Sequence, residues 1–391
     1  MSTEVEAIIN RLTLLKGDGE LTENATAQTE ALHLSKQLQF ALQKPEDAAL
    51  ELSFWPSYAF CARLAIDLDL FKLISDGSGT VSSGQLASAS GGEELLIIRI
   101  LRGLSAIGFV KEVEESRWAA TPLTRAMAIP PVAAGHVHFW DQGVGTMASM
   151  PQYFRINGYR CPTDPLDGSF QYAFQTKQEA FSYWHQFPSI LGNFNTFMQG
   201  VRGSRPQWIE WFPVRERILA GFEERQDAVL LIDVAGGRGH DVEAFKHKFS
   251  EVKGKLILQD LPAVISDIKT LDEDIQRQEY DFFTPQTIQG ARVYFFHFIF
   301  HDWSDEACLK ILSNTVSAMK KGYSKILLNE FILPDRGCPL LPIGMDLNMM
   351  AMHAGQERTE NQWRALLVKA GLEPTFWFSN GGAEGIIEAH L

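Results

Sequence analysis

Short, nearly continuous hydrophobic runs alternate with helix-like patterns throughout the second half of the chain. Such runs are typical of strands buried on both faces of a parallel sheet, and their alternation with helices predicts a doubly wound α/β fold. The predicted strands cover residues 229–234, 255–259, 291–298 and 325–331, and the predicted helices cover residues 240–249, 262–268, 304–320 and 361–369. Segments 375–378 and 386–389, on either side of Asn380-Gly381-Gly382, predict an antiparallel hairpin that closes the sheet.

The first half of the chain is patterned mainly as α-helix. Apolar residues recur at helical spacing over residues 1–50, with a polar linker at 16–26, and again over 55–74. A short strand at 80–81, helices at 83–89 and 93–107, and a β-hairpin of 109–112 with 117–120 predict a winged helix. We therefore expect four parts: a helical arm (1–50) that could wrap a partner subunit, a winged-helix domain (51–130), an aromatic-rich helical connector (131–215) and the α/β domain (216–391).

Composition argues against several classes of function. The chain has 391 residues and a formal net charge of −13, which does not favour nucleic acid or an anionic membrane as a partner. In the predicted winged helix, acidic residues such as Glu93, Glu94 and Glu112 offset the basic ones, which disfavours DNA binding. Four cysteines lack disulfide or metal-ligand spacing. We expect neither a secretion signal nor a membrane span, and we interpret the chain as cytoplasmic.

The segment from Phe295 to Trp303 is a hydrophobic run that ends in a histidine, an acid and an indole. We predict that this run is a strand that delivers His301 to the carboxyl edge of the sheet. Ligands of open α/β sheets bind at that edge, so His301 is a candidate general base. The alternative interpretation is a histidine of the core that is satisfied by hydrogen bonds.

A glycine-rich turn follows the predicted strand at 229–234 and precedes a helix. Gly236, Gly237 and Gly239 would let a ligand approach the backbone closely, and Asp233 would hold the turn or reach an amino group of the ligand. Glycine spacing alone is a weak signal. It becomes stronger because acidic residues stand at the ends of the next two predicted strands.

Asp260 follows the strand at 255–259, and a carboxylate there can accept hydrogen bonds from both hydroxyls of a ribose. Asp281 and Phe282 follow a possible third strand, where they suit the edge and the face of an adenine. Each of these residues could instead be a structural turn residue. Their occurrence at successive strand ends predicts a nucleotide-like ligand.

Together these motifs resemble those of a known family, the S-adenosylmethionine-dependent small-molecule O-methyltransferases of plants and fungi with an amino-terminal winged-helix dimerisation domain. The resemblance covers nearly the whole chain after the first thirty or so residues. It rests on the turn from Asp233 to Gly239, Asp260-Leu-Pro, Asp281-Phe282, His301-Asp-Trp-Ser-Asp305, Asn329-Glu330 and Gln356-Glu-Arg-Thr359, and the segments Asn157-Gly-Tyr and Pro162 to Gly168 are similar to the fungal branch. It implies a Rossmann-like methyltransferase sheet, S-adenosylmethionine as cofactor, a small-molecule substrate of secondary metabolism and a homodimer.

The resemblance also implies roles for single residues, with no metal ion. His301 would take the proton of the substrate hydroxyl, with Glu330 and Glu357 beside it, although Glu357 could instead pair with Arg358. The residues expected to contact the cofactor are Asp233, Gly236, Gly237, Gly239, Asp260, Asp281, Phe282 and His297. Those expected to line the substrate are Met349, Met352 and His353 on one wall and His138 and Trp140 on the other, although methionines at this spacing are more often core.

Two positions depart from the family pattern. Ala235 stands where a third glycine is usual, at an expected small cost, and His297 stands where a lysine or arginine is common. Some fungal relatives keep the cofactor without transferring its methyl group and catalyse pericyclic cyclisations. On that alternative, His138, His297 and the bound cation would polarise a carbonyl of the substrate. A third possibility is a winged-helix regulator with a dead cofactor site, against which the acidic winged helix and the intact His301 argue.

Overall fold

The computed structural model describes residues 3–17, 24–77, 79–200, 206–225, 227–379 and 384–391. Most of the linker predicted at 16–26, and the turn predicted at Asn380-Gly381-Gly382, lie outside these residues. The α-helices are α1 (Thr3–Gly17), α2 (Ala25–Leu42), α3 (Pro45–Leu52), α4 (Trp55–Asp67), α5 (Leu70–Asp76), α6 (Ser83–Ser90), α7 (Glu94–Ala106), α8 (Pro122–Met127), α9 (Pro130–His138), α10 (Gly145–Ile156), α11 (Ser169–Phe174), α12 (Ala180–Trp184), α13 (Pro188–Gly200), α14 (Trp208–Trp211), α15 (His240–Lys248), α16 (Pro262–Asp267), α17 (Asp305–Val316), α18 (Leu340–His353) and α19 (Glu360–Lys369).

The strands are β1 (Thr80–Ser82), β2 (Val110–Glu114), β3 (Arg117–Ala120), β4 (Val229–Val234), β5 (Lys255–Asp260), β6 (Ile275–Glu279), β7 (Val293–His297), β8 (Lys325–Leu333), β9 (Arg358–Thr359), β10 (Glu373–Phe378) and β11 (Glu384–His390). Two π-helical turns, Phe139–Val144 and Arg215–Leu219, and one 3₁₀ turn, Phe300–Asp302, complete the regular structure of the described residues. No helix in these ranges has both the length and the apolar character that a bilayer crossing requires.

The chain divides into two compact units, Met1–Gly145 with Trp184–Gly203, and Thr146–Tyr183 with Ser204–Leu391. The connector predicted at 131–215 is thus shared between them. In the first unit, helices α6 and α7 precede the hairpin β2–β3, and β1 pairs with β3. A capping box between Ser82 and Gln85 starts α6. The predicted arrangement of two helices followed by a hairpin is therefore present.

The second unit is built on a mixed sheet. Among the described residues its strands run in the order β10-β11-β8-β7-β4-β5-β6, with β9 paired to β8. Strands β4 to β8 are parallel, whereas β11 and β10 are antiparallel additions. The chain proceeds outward from β4 to β5 and β6, and then returns to β7 on the other side of β4. This reversal opens a crevice between the carboxyl ends of β4 and β7, where ligands of such sheets bind. The predicted α/β fold and closing hairpin are confirmed.

One strand prediction was wrong in detail. Strand β7 ends at His297, and Phe298 to Phe300 leave the sheet because Phe298 adopts a left-handed backbone with φ of 52°. His301 therefore lies in a 3₁₀ turn beyond the strand instead of at the end of it. Strand β6 was only implied by the position of Asp281, because this edge strand, Ile-Gln-Arg-Gln-Glu, has a single buried residue and no hydrophobic run.

Side chains of the central strands alternate between two hydrophobic cores. Ile232 and Leu328 belong to one core, and Leu231 and Phe295 belong to the other, on the opposite face of the sheet. The same alternation directs Glu330 to the first face and His297 to the second. The carboxyl edge of the sheet therefore carries polar side chains on both of its faces.

Candidate active site

The turn after β4 is shaped by close contacts that only glycine permits. A Cβ atom at Gly236 would overlap the carboxylate of Asp233 and would also lie 2.6 Å from the side chain of Leu258. Gly237 and Gly239 have φ of 59° and 83°, in the left-handed region that favours glycine. The sequence-based interpretation of these three glycines as backbone requirements agrees with this geometry.

Ala235 in the same turn also has a left-handed backbone, with φ of 57°. An L-residue with a Cβ is strained there by about 1–2 kcal/mol relative to the right-handed region. The expectation that alanine costs little at this position was therefore wrong. The physical reason is the turn itself, which requires positive φ at this position.

Asp233 is the most unusual group of the turn. Its carboxylate is buried, and neither oxygen has a hydrogen-bond partner among the described residues. Burial raises the pKa of Asp233 well above its ordinary value, Asp241 adds to this by like-charge repulsion, and the backbone N–H of Val242 opposes it. An acceptor that burial leaves without a donor fits a ligand that brings a cationic or hydrogen-bond-donating group.

Asp260 closes the turn from the neighbouring strand. Its Oδ2 accepts a hydrogen bond from the N–H of Gly237 at 2.8 Å, and its Oδ1 accepts one from Leu261 at 2.7 Å. Burial raises the pKa of Asp260 to about 6, against the effect of these two donors. Each carboxylate oxygen can accept a second hydrogen bond, so the side chain still suits a ligand with hydroxyl groups.

Asp281 and Phe282 follow β6 at the same edge of the sheet. Asp281 is exposed, and its Oδ1 accepts a hydrogen bond from the N–H of Phe283, which makes it a turn residue in this structure. The ring of Phe282 is half-buried and lies 5.9 Å from that of Trp303. Both residues stand where the sequence predicted, and contact with an adenine stays a prediction.

His297 ends β7 and holds a polar cluster on its face of the sheet. Its Nδ1 lies 2.7 Å from Oδ2 of Asp241, and its Nε2 lies 3.9 Å from Oε1 of Glu384. Asn329 donates a hydrogen bond of 2.9 Å to the same oxygen of Glu384. The sequence reasoning missed Asp241 and Glu384, because a carboxylate in a helix or in an antiparallel strand carries no local signal that it faces inward.

The 3₁₀ turn with His301 is braced by Arg358, whose side chain is fully buried. The guanidinium donates to the carbonyl oxygens of Phe300 and Trp303 at 3.0 and 2.8 Å and to Asp305 at 2.8 Å. The alternative pairing of Glu357 with Arg358 was therefore wrong. Arg358 instead holds the backbone of the turn in place, a contact that the sequence analysis did not predict.

His301 lies among carboxylates. Its Nδ1 is 2.7 Å from Oε1 of Glu357 and 4.0 Å from Oε2 of Glu330, and its Nε2 is 3.6 Å from Oδ1 of Asp302. Glu330 is held by the N–H groups of Ile299 and Phe300, which donate to its Oε1 at 3.0 and 2.8 Å. The structure thus brings His301, Glu330 and Glu357 together as predicted, and it adds Asp302.

The buried charged groups around His301 shift one another's pKa values. Burial alone would lower the pKa of His301, but Glu357, Asp302 and Glu330 outweigh it and raise the pKa to about 10. Burial raises the pKa of Glu330 and of Asp302 to about 7 each, although the positive imidazole opposes the rise. The ligand atoms of His301, Glu330 and Glu357 lie within 4.8 Å of one another, a spacing that a divalent ion could also bridge.

The predicted substrate residues of the second unit lie on α18. Met349, Met352 and His353 are all buried, with 2–7% of each residue exposed. The Nε2 of His353 is 3.9 Å from Oδ1 of Asp302, so α18 reaches the cluster around His301. The ring of Phe181 lies 4.7 Å from that of His353. The two methionines have the burial expected of core residues, and their contact with a substrate stays a prediction.

His138 and Trp140 belong to the first unit. His138 is buried among aromatic rings, with the ring of Trp184 at 4.6 Å and that of Phe194 at 5.3 Å. Its Nδ1 has no hydrogen-bond partner among the described residues, and burial lowers its pKa to about 4. His138 is therefore a neutral imidazole. Trp140 is half-buried beside Phe60, and the role of both residues in substrate binding stays a prediction.

Comparisons with known proteins identify the family of this chain. The sequence model of the O-methyltransferase domain family matches residues 170–373. The O-methyltransferase penC of Penicillium thymicola is 43% identical over 366 residues, which cover 93% of this chain and 91% of penC. A solved structure of LepI in complex with S-adenosylmethionine (SAM) has a TM-score of 0.89 at 27% identity over 99% of both chains. Another, described as a pericyclic reaction enzyme, has a TM-score of 0.88 at 27% identity over 99% of both chains.

The match to the family model spans more than half of the chain, and the identity to penC extends over nearly all of it. The family resemblance and the fold class predicted from the sequence are confirmed. This chain belongs to the O-methyltransferase family.

Proposed function

We propose that this enzyme transfers the methyl group of SAM to a hydroxyl of a small aromatic or polyketide-type metabolite, with His301 as general base. The observation that carries the proposal is the 2.7 Å hydrogen bond between Nδ1 of His301 and Glu357. A carboxylate only accepts hydrogen bonds, so in the neutral imidazole Nδ1 carries the proton and Nε2 keeps the lone pair. A phenol with a pKa of about 10 is a poor nucleophile at neutral pH and needs such an acceptor.

When bound, SAM supplies a methyl group on a sulfonium, which a hydroxyl oxygen can attack in line. Methyl transfer to the hydroxyl oxygen would leave S-adenosylhomocysteine, and Nε2 of His301 would take the hydroxyl proton. Glu357 and Glu330 stabilise the imidazolium that results. The main contribution of the remaining residues is placement of the hydroxyl and exclusion of water.

We further propose that the turn after β4 holds the cofactor. Asp233, with its buried acceptors, suits the ammonium group, and Asp260 suits the ribose hydroxyls. The glycines at 236, 237 and 239 and His297, near the crevice between β4 and β7, complete this set together with Asp281 and Phe282 after β6. For the substrate we propose α18 with Met349, Met352 and His353, and from the first unit His138 and Trp140.

The test is methylation of phenolic and polyketide acceptors with deuterated-methyl SAM, followed by mass spectrometry. Product and S-adenosylhomocysteine should form in equal amounts. His301→Ala should lower kcat by about 10²- to 10⁴-fold while calorimetric affinity for SAM is kept. His390→Ala is the matched control, since His390 lies at the exposed end of β11. Full activity of His301→Ala would exclude His301 as the base.

A second candidate function is a pericyclic cyclisation that leaves SAM unconsumed. The neutral, buried His138 favours it, because its Nδ1 has no hydrogen-bond partner in the part of the chain that the structure describes, as does the likeness to the pericyclic reaction enzyme. The intact pair of His301 and Glu357 favours methyl transfer, because a cyclisation requires no proton acceptor of this kind. Turnover without S-adenosylhomocysteine, undiminished in His301→Ala but lost in His138→Ala, would support the cyclase.

We also propose a homodimer formed through the amino-terminal part of the chain, with a winged-helix domain at 51–130 and a catalytic domain at 216–391. Helices α2 to α4 and the residues between them expose many large apolar side chains. A group of exposed apolar side chains indicates a surface that binds another molecule. Those between 53% and 69% exposed are Leu32, Phe40, Leu42, Leu50, Leu52, Phe54 and Trp55. Because these residues lie within one short stretch of sequence, a second copy that offers the same stretch can cover them.

Light scattering tests the dimer. Phe40→Asp with Leu52→Asp should shift the molar mass to that of one chain. Ile156→Asp with Val368→Asp is the control, since these side chains are 61% and 59% exposed but lie in the second unit. A mass of one chain for the unmodified protein would exclude the homodimer.

For the location we propose the cytoplasm, because the four cysteines are free thiols.

A further inference from the structure

The cluster around His301 contains more acid than base. Glu357, Asp302 and Glu330 lie 2.7, 3.6 and 4.0 Å from its ring nitrogens. The three carboxylate side chains are between 0% and 11% exposed. Within the described ranges none of them forms an ion pair with a lysine or arginine, and Arg358 pairs with Asp305 instead. A protonated His301 therefore leaves two of the three carboxylates without a compensating charge.

Two excess negative charges are costly in a buried site, so the cluster must take up protons or meet another cation. One buried carboxylate oxygen on each of Glu330 and Glu357 has no hydrogen-bond partner among the described residues. Burial and repulsion between these carboxylates also raise the pKa values of Glu330 and Asp302 to about 7. Near neutral pH the cluster is therefore poised between proton-bound and proton-free forms, which titrate together.

Resting on the proposed function, we propose that Glu330 and Asp302 select the charged methyl donor over its neutral spent form, by releasing a proton when the sulfonium binds. A methyl donor aligned for transfer to an oxygen beside Nε2 of His301 would direct its sulfonium charge toward the carboxylates of this cluster. S-adenosylhomocysteine lacks that charge, so its binding leaves the protons in place. The product is then the weaker ligand where the carboxylates are ionised.

The polar groups on the other face of the sheet provide an internal control. Asp233 lies in the turn after β4, on the same face as Leu231 and His297, whereas Glu330 follows Leu328 on the opposite face. We propose that Asp233 binds the ammonium group and Asp260 binds the ribose hydroxyls. SAM and S-adenosylhomocysteine both carry these groups. Proton exchange at those residues should therefore be the same for the two ligands and cancel in the difference between them.

The experiment is isothermal titration calorimetry of the full chain at about pH 7, with SAM and with S-adenosylhomocysteine, in phosphate and in Tris. These buffers differ in ionisation enthalpy, so the difference in heat counts the protons that each ligand releases. EDTA is included so that no divalent ion compensates the carboxylates. We expect SAM to release up to roughly one more proton than S-adenosylhomocysteine, and the ratio of their affinities to rise by up to about tenfold per pH unit.

Glu330→Gln should reduce the difference in proton release between the two ligands. Glutamine can still accept hydrogen bonds from the N–H groups of Ile299 and Phe300, but it cannot bind a proton at neutral pH. Asp302→Asn is the second variant and should act in the same direction. Asp233→Asn should weaken the binding of both ligands and leave the difference in the number of protons that they release unchanged. Equal proton release by the two ligands would overturn this inference alone, whereas failure of both ligands to bind would overturn the proposed function.

Discussion

Nδ1 of His301 lies 2.7 Å from Oε1 of Glu357, a residue 56 positions later in the chain. Glu357 is itself positioned by a hydrogen bond, because its N–H donates to Oδ1 of Asp346 at 2.8 Å. The N–H of Gln356 donates to the carbonyl oxygen of His301 at 2.9 Å. Backbone and side chains of the two segments therefore fix the imidazole in one orientation, with Nε2 available to a substrate.

Replacement of Glu357 by glutamine should remove this control of the tautomer. A glutamine amide donates as well as accepts hydrogen bonds, so it no longer compels Nδ1 to carry the proton. We expect kcat to fall by about 10²- to 10⁴-fold, with the affinity for SAM nearly unchanged by calorimetry. Glu360→Gln, at a half-exposed carboxylate that pairs with Arg364, is the control. An active Glu357→Gln enzyme would mean that the tautomer is set elsewhere.

The rate should depend on pH in a direction set by His301. The surrounding carboxylates raise its pKa to about 10, and only the neutral imidazole accepts a proton. We therefore expect kcat/KM to rise between about pH 7 and about pH 9, and not to level off near the ordinary pKa of histidine. Glu357→Gln removes a negative charge, so the plateau should begin at lower pH. A flat profile in the unmodified enzyme would contradict this assignment.

Much of the sheet could be predicted because β4, β5, β7 and β8 are buried on both faces and read as hydrophobic runs. The same rule failed at Phe298 to Phe300, where the chain leaves the sheet and Phe300 is buried in a 3₁₀ turn and not in a strand. Burial can be inferred from hydrophobicity, but the backbone path that achieves it cannot. The partnership of His301 with Glu357 came from family resemblance, since 56 residues separate them. Glu384 gave no signal, because its neighbours are assembled only by the antiparallel pairing of β11 with β8.

Arg358→Lys should loosen the turn that carries His301. Lysine presents one compact charge and cannot reach the carbonyls of Phe300 and Trp303 and the carboxylate of Asp305 together, as the planar guanidinium does. We expect a loss of about 1–3 kcal/mol in the free energy of unfolding, measured by urea denaturation. Arg364→Lys, at an exposed pair with Glu360, should change stability by less than about 0.5 kcal/mol. Equal effects of the two substitutions would contradict the bracing role of Arg358.

Ala235→Gly should stabilise the protein. Ala235 has φ of 57°, where a Cβ is strained, and glycine removes that strain of about 1–2 kcal/mol while it loosens the unfolded chain by about 0.4–1 kcal/mol. The net gain should be about 0.5–1 kcal/mol in the free energy of unfolding. Gly236→Ala tests the neighbouring position in the opposite sense, because its Cβ would overlap Asp233. It should destabilise the turn and weaken SAM in calorimetry, whereas Ala235→Gly should bind SAM at least as well as the unmodified enzyme. If Ala235→Gly were destabilised, the left-handed backbone at this position would be wrong.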